Sequence, residues 1–118
     1  MLTQGEMSKV KVFGTDEQVK EEITTSAVPV IVDFYANWCG PCKILGPVLD
    51  SVSEKFCDDI SIVKVDVDKH GELAAENDVQ SVPTLIFYAG GKEVKRTTGF
   101  MPEEKLTKVI EETLGVKV

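Results

Sequence analysis

The sequence predicts an α/β protein with a mixed central sheet of about five strands flanked by about four helices. Two observations carry that class. Segments of strand-like and helix-like hydrophobic period alternate along most of the chain, and strands joined by helices imply right-handed crossovers with a helix layer on each sheet face. Within them, Val28 to Tyr35 is nearly continuously apolar, as a central parallel strand covered on both faces is.

The elements follow in order. Lys9 to Phe13 alternates, with Val10 and Val12 on one face, as a half-buried strand does. Thr15-Asp16-Glu17-Gln18 reads as a capping box opening a helix, with Val19 and Ile23 one turn apart on its apolar side. The strand 28–35 is interrupted only by Pro29 and Asp33. From Pro41 the period becomes helical, with Leu45, Val48, Leu49, Val52 and Phe56 on one stripe. Pro47 inside that helix removes a hydrogen bond and crowds the preceding turn, so a kink is expected. Ile60 to Val67 is a further apolar strand, and Glu72 to Asn77 a short helix built on Leu73, Ala74 and Ala75. Thr84 to Ala89 and Glu93 to Thr98 flank Gly90-Gly91 as a hairpin. Pro102-Glu103-Glu104 starts the last helix, with Leu106, Val109, Ile110 and Leu114 facing inward and Gly115 at its end. The order is βαβαβ, a short helix, then ββα.

A chain of 118 residues fits one domain and not two. Residues 8–118 are expected to form it, after a tail at 1–7; a second Met at position 7 leaves native, alternative and vector-derived origins open for the first six residues. Hydrophobic residues at 42% and charged residues at 28% exclude a disordered chain. The net charge of −7 is spread along the sequence and repels phosphate backbones, so nucleic acid is not an expected partner. No apolar run reaches the roughly eighteen residues that span a bilayer, and the amino terminus lacks a signal-peptide pattern. A cytoplasmic location is therefore expected, and there three cysteines are chemical more often than structural.

Two of them form Trp38-Cys39-Gly40-Pro41-Cys42-Lys43. Cys39 falls where the main helix begins, and the unpaired N–H groups and positive dipole end of that first turn favour thiolate over thiol. The Cys-x-x-Cys spacing brings the second sulfur within disulfide reach. Pro41 suits the first helical turn, and Gly40 leaves room for an approaching chain. A lone Cys-x-x-Cys is also half of a zinc site, which Cys57 and His70 could complete by count, although no second close pair exists. The plainer readings are a packed or half-exposed free thiol for Cys57 and a solvated turn residue for His70. Asp33 is a carboxylate in a core strand, costly to bury ionised without partners. Lys64 interrupts an apolar alternation, and on spacing alone it is as well read as a solvent-facing lysine. Trp38 beside Cys39 reads as a partly exposed lid whose indole N–H needs a partner.

These residues together resemble the thioredoxin family. The segment from Asp33 to Lys43 is similar to its active-site stretch, and the likeness extends to Pro47, Lys64, Asp66-Val67-Asp68, Val82-Pro83-Thr84, Gly90-Gly91 and Gly99, covering about residues 8 to 115. Cys-Gly-Pro-Cys resembles thioredoxins rather than disulfide isomerases or glutaredoxins. Tyr35 departs from the pattern, where many members carry a second tryptophan.

The resemblance implies a thioredoxin fold and a monomeric protein-disulfide reductase with no bound cofactor and no metal. Cys39 would be the nucleophile and Cys42 the resolving thiol of a reversible Cys39–Cys42 disulfide. It also implies that Asp33 lies beneath Cys42 and takes its proton, with desolvation raising the Asp33 pKa and Lys64 opposing that. The Val82–Pro83 bond would be cis and face the cysteines. A groove of Trp38, Gly40, Pro41, Val67, Val82, Pro83, Thr98, Gly99 and Phe100 would take an extended target segment. Thioredoxin reductase or an equivalent donor, and disulfide-containing target proteins, are the partners implied. Rival readings are a thioredoxin-fold binding subunit, a reductant dedicated to one pathway, and an isomerase.

Overall fold

The computed structural model describes residues 8–118; the tail expected at 1–7 lies outside the described residues. The elements are β1 (Lys11–Val12), α1 (Asp16–Thr25), β2 (Val30–Tyr35), α2 (Gly40–Phe56), a 3-10 turn (Cys57–Asp59), β3 (Ser61–Asp66), α3 (Gly71–Glu76), β4 (Thr84–Ala89), β5 (Lys92–Thr98) and α4 (Glu103–Leu114). This is the expected order.

The five strands form one sheet, ordered β1-β3-β2-β4-β5. Apolar content decides the order. The three strands richest in Val, Ile, Leu and Phe take the inner places and are buried along nearly their whole length. The charged β5 and the two-residue β1 take the edges, where lysine and arginine stay hydrated and discourage further pairing. β2 is central and parallel to β3; toward β4 it runs antiparallel, and the two-glycine hairpin after β4 adds antiparallel β5. The sheet is therefore mixed, as expected.

β1 is also shorter than the alternation from Lys9 to Phe13 suggested. It has one neighbour, β3, and Val12 is 71% exposed, while Val10 and Phe13 on either side reach the two apolar layers. At an edge, the period-2 pattern is not enforced by a second covering layer.

The sheet separates two apolar layers. On one face Leu45, Leu49, Val52 and Phe56 of α2, with Leu106 and Ile110 of α4, pack on Ile31, Ile62, Leu85 and Phe87. On the other, Val19 of α1 and Leu73 and Ala74 of α3 pack on Val30, Val32, Phe34, Val63, Val65 and Ile86. Because strand side chains alternate, Asp33 and Tyr35 share the face of Ile31, and Lys64 that of Ile62. All three therefore lie on the side covered by α2.

Helix ends follow their sequence signals. Gln18 N–H donates to Thr15 Oγ1 at 3.2 Å and Thr15 N–H donates to Gln18 Oε1 at 3.1 Å, closing the capping box. α2 continues through Pro47 to Phe56. Pro102 stands one place before α4, as its cap, and Gly115 ends that helix at φ 70°, a conformation costly for other residues.

Candidate active site

Cys39 is the last residue before α2, placed there by the end of the central strand four residues earlier. Cys42 N–H donates to Cys39 Sγ at 3.2 Å, so the sulfur acts as the side-chain cap of the helix. In the dithiol form this N–H and the helix dipole both stabilise negative charge on Cys39. Cys39 and Cys42 are disulfide-linked, with Cα atoms 5.3 Å apart, and both are largely buried. Gly40 and Pro41 are exposed between them, and a Cβ at Gly40 would meet nothing within 4 Å. The fold itself places no demand on that glycine.

Asp33 is 1% exposed, and among the described residues its Oδ1 has no hydrogen-bond partner. Desolvation pushes its pKa up to about 7, against the opposing pull of the Lys64 charge. Lys64 is its register partner on β3, yet it makes no ion pair among the described residues. Its Nζ sits instead 4.5 Å from the centre of the Tyr35 ring. Cys42, Tyr35 and Lys64 line one cleft of about 320 Å³ with Lys43 and Asp50, so the inner face of the disulfide is open to water.

On the other side of the sulfurs, the Val82–Pro83 bond is cis and the Val82 carbonyl oxygen lies 3.7 Å from Cys39 Sγ. Val82 is outside the β4 ladder, which starts at Thr84. Gly99 N–H donates to the Pro83 carbonyl at 2.9 Å, with Gly99 at φ 88°, and Thr98 pairs with Thr84. Trp38, Val67 and Val82 line a second cleft of about 180 Å³. The structure thus gathers Trp38, Val67, Val82, Pro83 and the cysteines, and ties Thr98 and Gly99 to them. Phe100 is exposed beyond Gly99 but lines neither cleft.

Trp38 is 71% exposed and finds its partner in Asp68, to whose Oδ2 the indole N–H donates at 3.0 Å. Asn37 Nδ2 donates to Asp66 Oδ2 at 3.3 Å, and Val67 N–H donates to the Tyr35 carbonyl at 2.9 Å. Three bonds therefore tie the end of β2 and the loop after it to the end of β3 and the loop after it. Sequence reasoning assigned no role to Asn37, Asp66 or Asp68, and it missed the Lys64–Tyr35 stack. The available signal was the pair Asp66 and Asp68, small acidic residues at a strand end where loop tethers form.

Cys57 is a free thiol as expected, though exposed rather than packed, and the reading of His70 is corrected. Cys57 is a free, exposed thiol at the far end of α2, about 25 Å along a 17-residue helix from Cys39, so it cannot share a site with the pair. His70 is not solvated: its side chain is 12% exposed, with Nδ1 2.7 Å from Asp16 Oδ1. Among the described residues no three His, Cys, Asp or Glu side chains gather as a metal-binding set. No helix among them is long and apolar enough to cross a membrane.

Residues 10–112 match the family model described as Thioredoxin. The chain is 38% identical over 100 residues to thioredoxin 1 of Nostoc sp., covering 85% of this chain and 94% of that one. It is 41% identical over 96 residues to the thioredoxin of Mycoplasmoides gallisepticum, covering 81% and 95%. The crystal structure of thioredoxin NaTrxh from Nicotiana alata superposes with a TM-score of 0.83 at 35% identity, covering 92% of this chain and 96% of that chain.

Proposed function

The chain belongs to the thioredoxin family and is a protein thiol–disulfide oxidoreductase, and from that premise we propose how its residues divide the work. The Cys39 thiolate attacks one sulfur of a target disulfide, forming a mixed disulfide and expelling the other target sulfur as thiolate. Cys42 then gives its proton to the Asp33 carboxylate and attacks Cys39 Sγ. The Cys39–Cys42 disulfide forms, the second target thiolate leaves, and two electrons have passed to the target. Lys64 moderates the proton affinity of Asp33. The observation that carries this reading is Cys39 itself, a sulfur capping a helix and receiving the Cys42 N–H.

The groove around Val82 takes the target. An extended segment pairs with Val82 backbone groups that the sheet does not use, while Trp38, Gly40, Pro41, Val67, Pro83, Thr98, Gly99 and Phe100 bound it. Members of the family are reduced by thioredoxin reductase, and we assign this chain an external reductase of that kind. Residues 8–118 act as one domain. Every residue named belongs to one chain, so a monomer suffices. A reducing compartment such as the cytoplasm suits a carrier that must return to the dithiol form.

Insulin-disulfide reduction with wild type, Cys39→Ser and Cys42→Ser tests the scheme. Both variants should be inactive, and only Cys42→Ser should trap a covalent adduct. Asp33→Asn should slow release from the mixed disulfide at pH 7 by roughly a hundredfold, the lower end of general-base contributions. A wild-type protein inactive with common dithiol donors would sink the proposal.

A further inference from the structure

Lys64 lies at a partition. With Tyr35 it lines the cleft of about 320 Å³ that reaches Cys42. The same two residues line a second opening of about 430 Å³, on the β1 side, with Val12, Asp66, Lys69 and His70. An unrestrained lysine there could turn either way. The second opening offers the Asp66 carboxylate as a counter-charge. The ammonium instead stands 4.5 Å over the Tyr35 ring, a distance at which the ring face attracts a cation.

We propose that Tyr35 is a positioning residue for the resolving step, its ring holding the Lys64 ammonium against its face, across the β2–β3 register from Asp33 and not paired with it. The inference rests on the assignment of Asp33 as proton acceptor, and it explains how a cation stays close without closing on the carboxylate. A closed ion pair would fix Asp33 as a carboxylate too weakly basic to take a thiol proton. A cation lost to the far opening would leave desolvation unopposed, and the carboxyl would stay protonated and unable to accept. The groups that face this arrangement are Asp33 and Tyr35 from β2, Lys64 and Asp66 from β3, Lys69 and His70 from the loop after it, and Cys42, Lys43 and Asp50 from α2. Opposite Asp33 on β4 stands apolar Leu85.

The test is a double-mutant cycle read by the Asp33 carboxyl carbon in NMR titration of the oxidised protein, where the cysteines do not titrate. Tyr35→Phe and Tyr35→Trp keep a ring face and should leave the Asp33 midpoint within about 0.2 pH units of wild type. Tyr35→Leu should raise it by roughly half a unit or more, the scale of one partly screened charge at this range. Lys64→Met should raise it by a similar amount, and the Tyr35→Leu/Lys64→Met pair by no more than Lys64→Met alone. Tyr35→Met replaces Tyr35→Leu if that variant does not fold. An unchanged or lowered midpoint in the ring-deleted variant, or shifts that add fully in the pair, would overturn the proposal. The release rate of Asp33→Asn is scored separately: if it equals wild type, the proton-acceptor reading fails, while the Tyr35–Lys64 coupling stands or falls on the titration.

Discussion

Asp33 carries the largest electrostatic cost in the site. Burial lifts its pKa from the usual 3.8 to about 7, so ionising it inside the fold costs on the order of 4 kcal/mol relative to the unfolded chain. The sign follows from proton counting. Between those two values the unfolded chain has released its proton and the native one still holds it, so stability is full below about pH 4 and falls as pH rises toward 7. Asp33→Asn should abolish that slope, and at pH 8 it should be more stable than wild type by roughly 2–4 kcal/mol. Urea unfolding of both proteins at pH 5 and pH 8 measures it, and parallel curves at the two pH values would remove the cost assigned to Asp33. This aspartate was legible in the sequence, because a lone carboxylate in a continuously apolar strand is conspicuous. Lys64 was not, because a lysine on an alternating strand looks the same whether it faces solvent or leans on a ring. Its partner Tyr35 is 29 residues away in the chain, and only the β2–β3 register brings the two together.

Elements were legible where local chemistry closes them and obscure where neighbours do. The capping box at Thr15 and the glycine at 115 are satisfied within a few residues, so α1 and α4 could be read directly. β1 could not, since its length depends on how much of an edge β3 leaves to pair, and Val12 ended up in solvent. The loop tethers Asn37–Asp66 and Trp38–Asp68 belong to the same class, because each joins residues about thirty positions apart. The local claim has a simple check. Thr15→Ala removes the side-chain half of the α1 capping box, the acceptor for the Gln18 N–H, on a helix whose Val19 supports the face away from α2. It should cost about 1 kcal/mol in unfolding free energy and leave insulin reduction unchanged, measured on the same preparation by urea denaturation and turnover. A loss of turnover without loss of stability would show that α1 is coupled to the cysteines through the sheet.

At the scale of the whole molecule, a two-layered sheet presents one chemically active corner on a body with a net charge of −7. The composition argued against nucleic acid as a partner, but it did not show how charge meets the site. Lys43 is exposed just after Cys42, Asp68 holds the exposed Trp38, and half-buried Lys64 stands over the Tyr35 ring. The corner therefore has little positive charge of its own to offset the field of the rest. Such a field repels acidic targets and attracts basic ones before any sulfur is in reach, and added salt weakens it beyond a Debye length of about 10 Å at 0.1 M. Two disulfide peptides of equal length, one carrying four lysines and one four glutamates, should respond to salt in opposite directions. Raising sodium chloride from 20 to 500 mM should lower the second-order rate for the basic peptide by roughly severalfold and raise that for the acidic one by a similar factor. Stopped-flow Trp38 fluorescence can follow both reactions, since it is the chain's one tryptophan and adjoins Cys39. Rates that move together with salt would mean that charges beside the cysteines, rather than the body as a whole, govern the encounter.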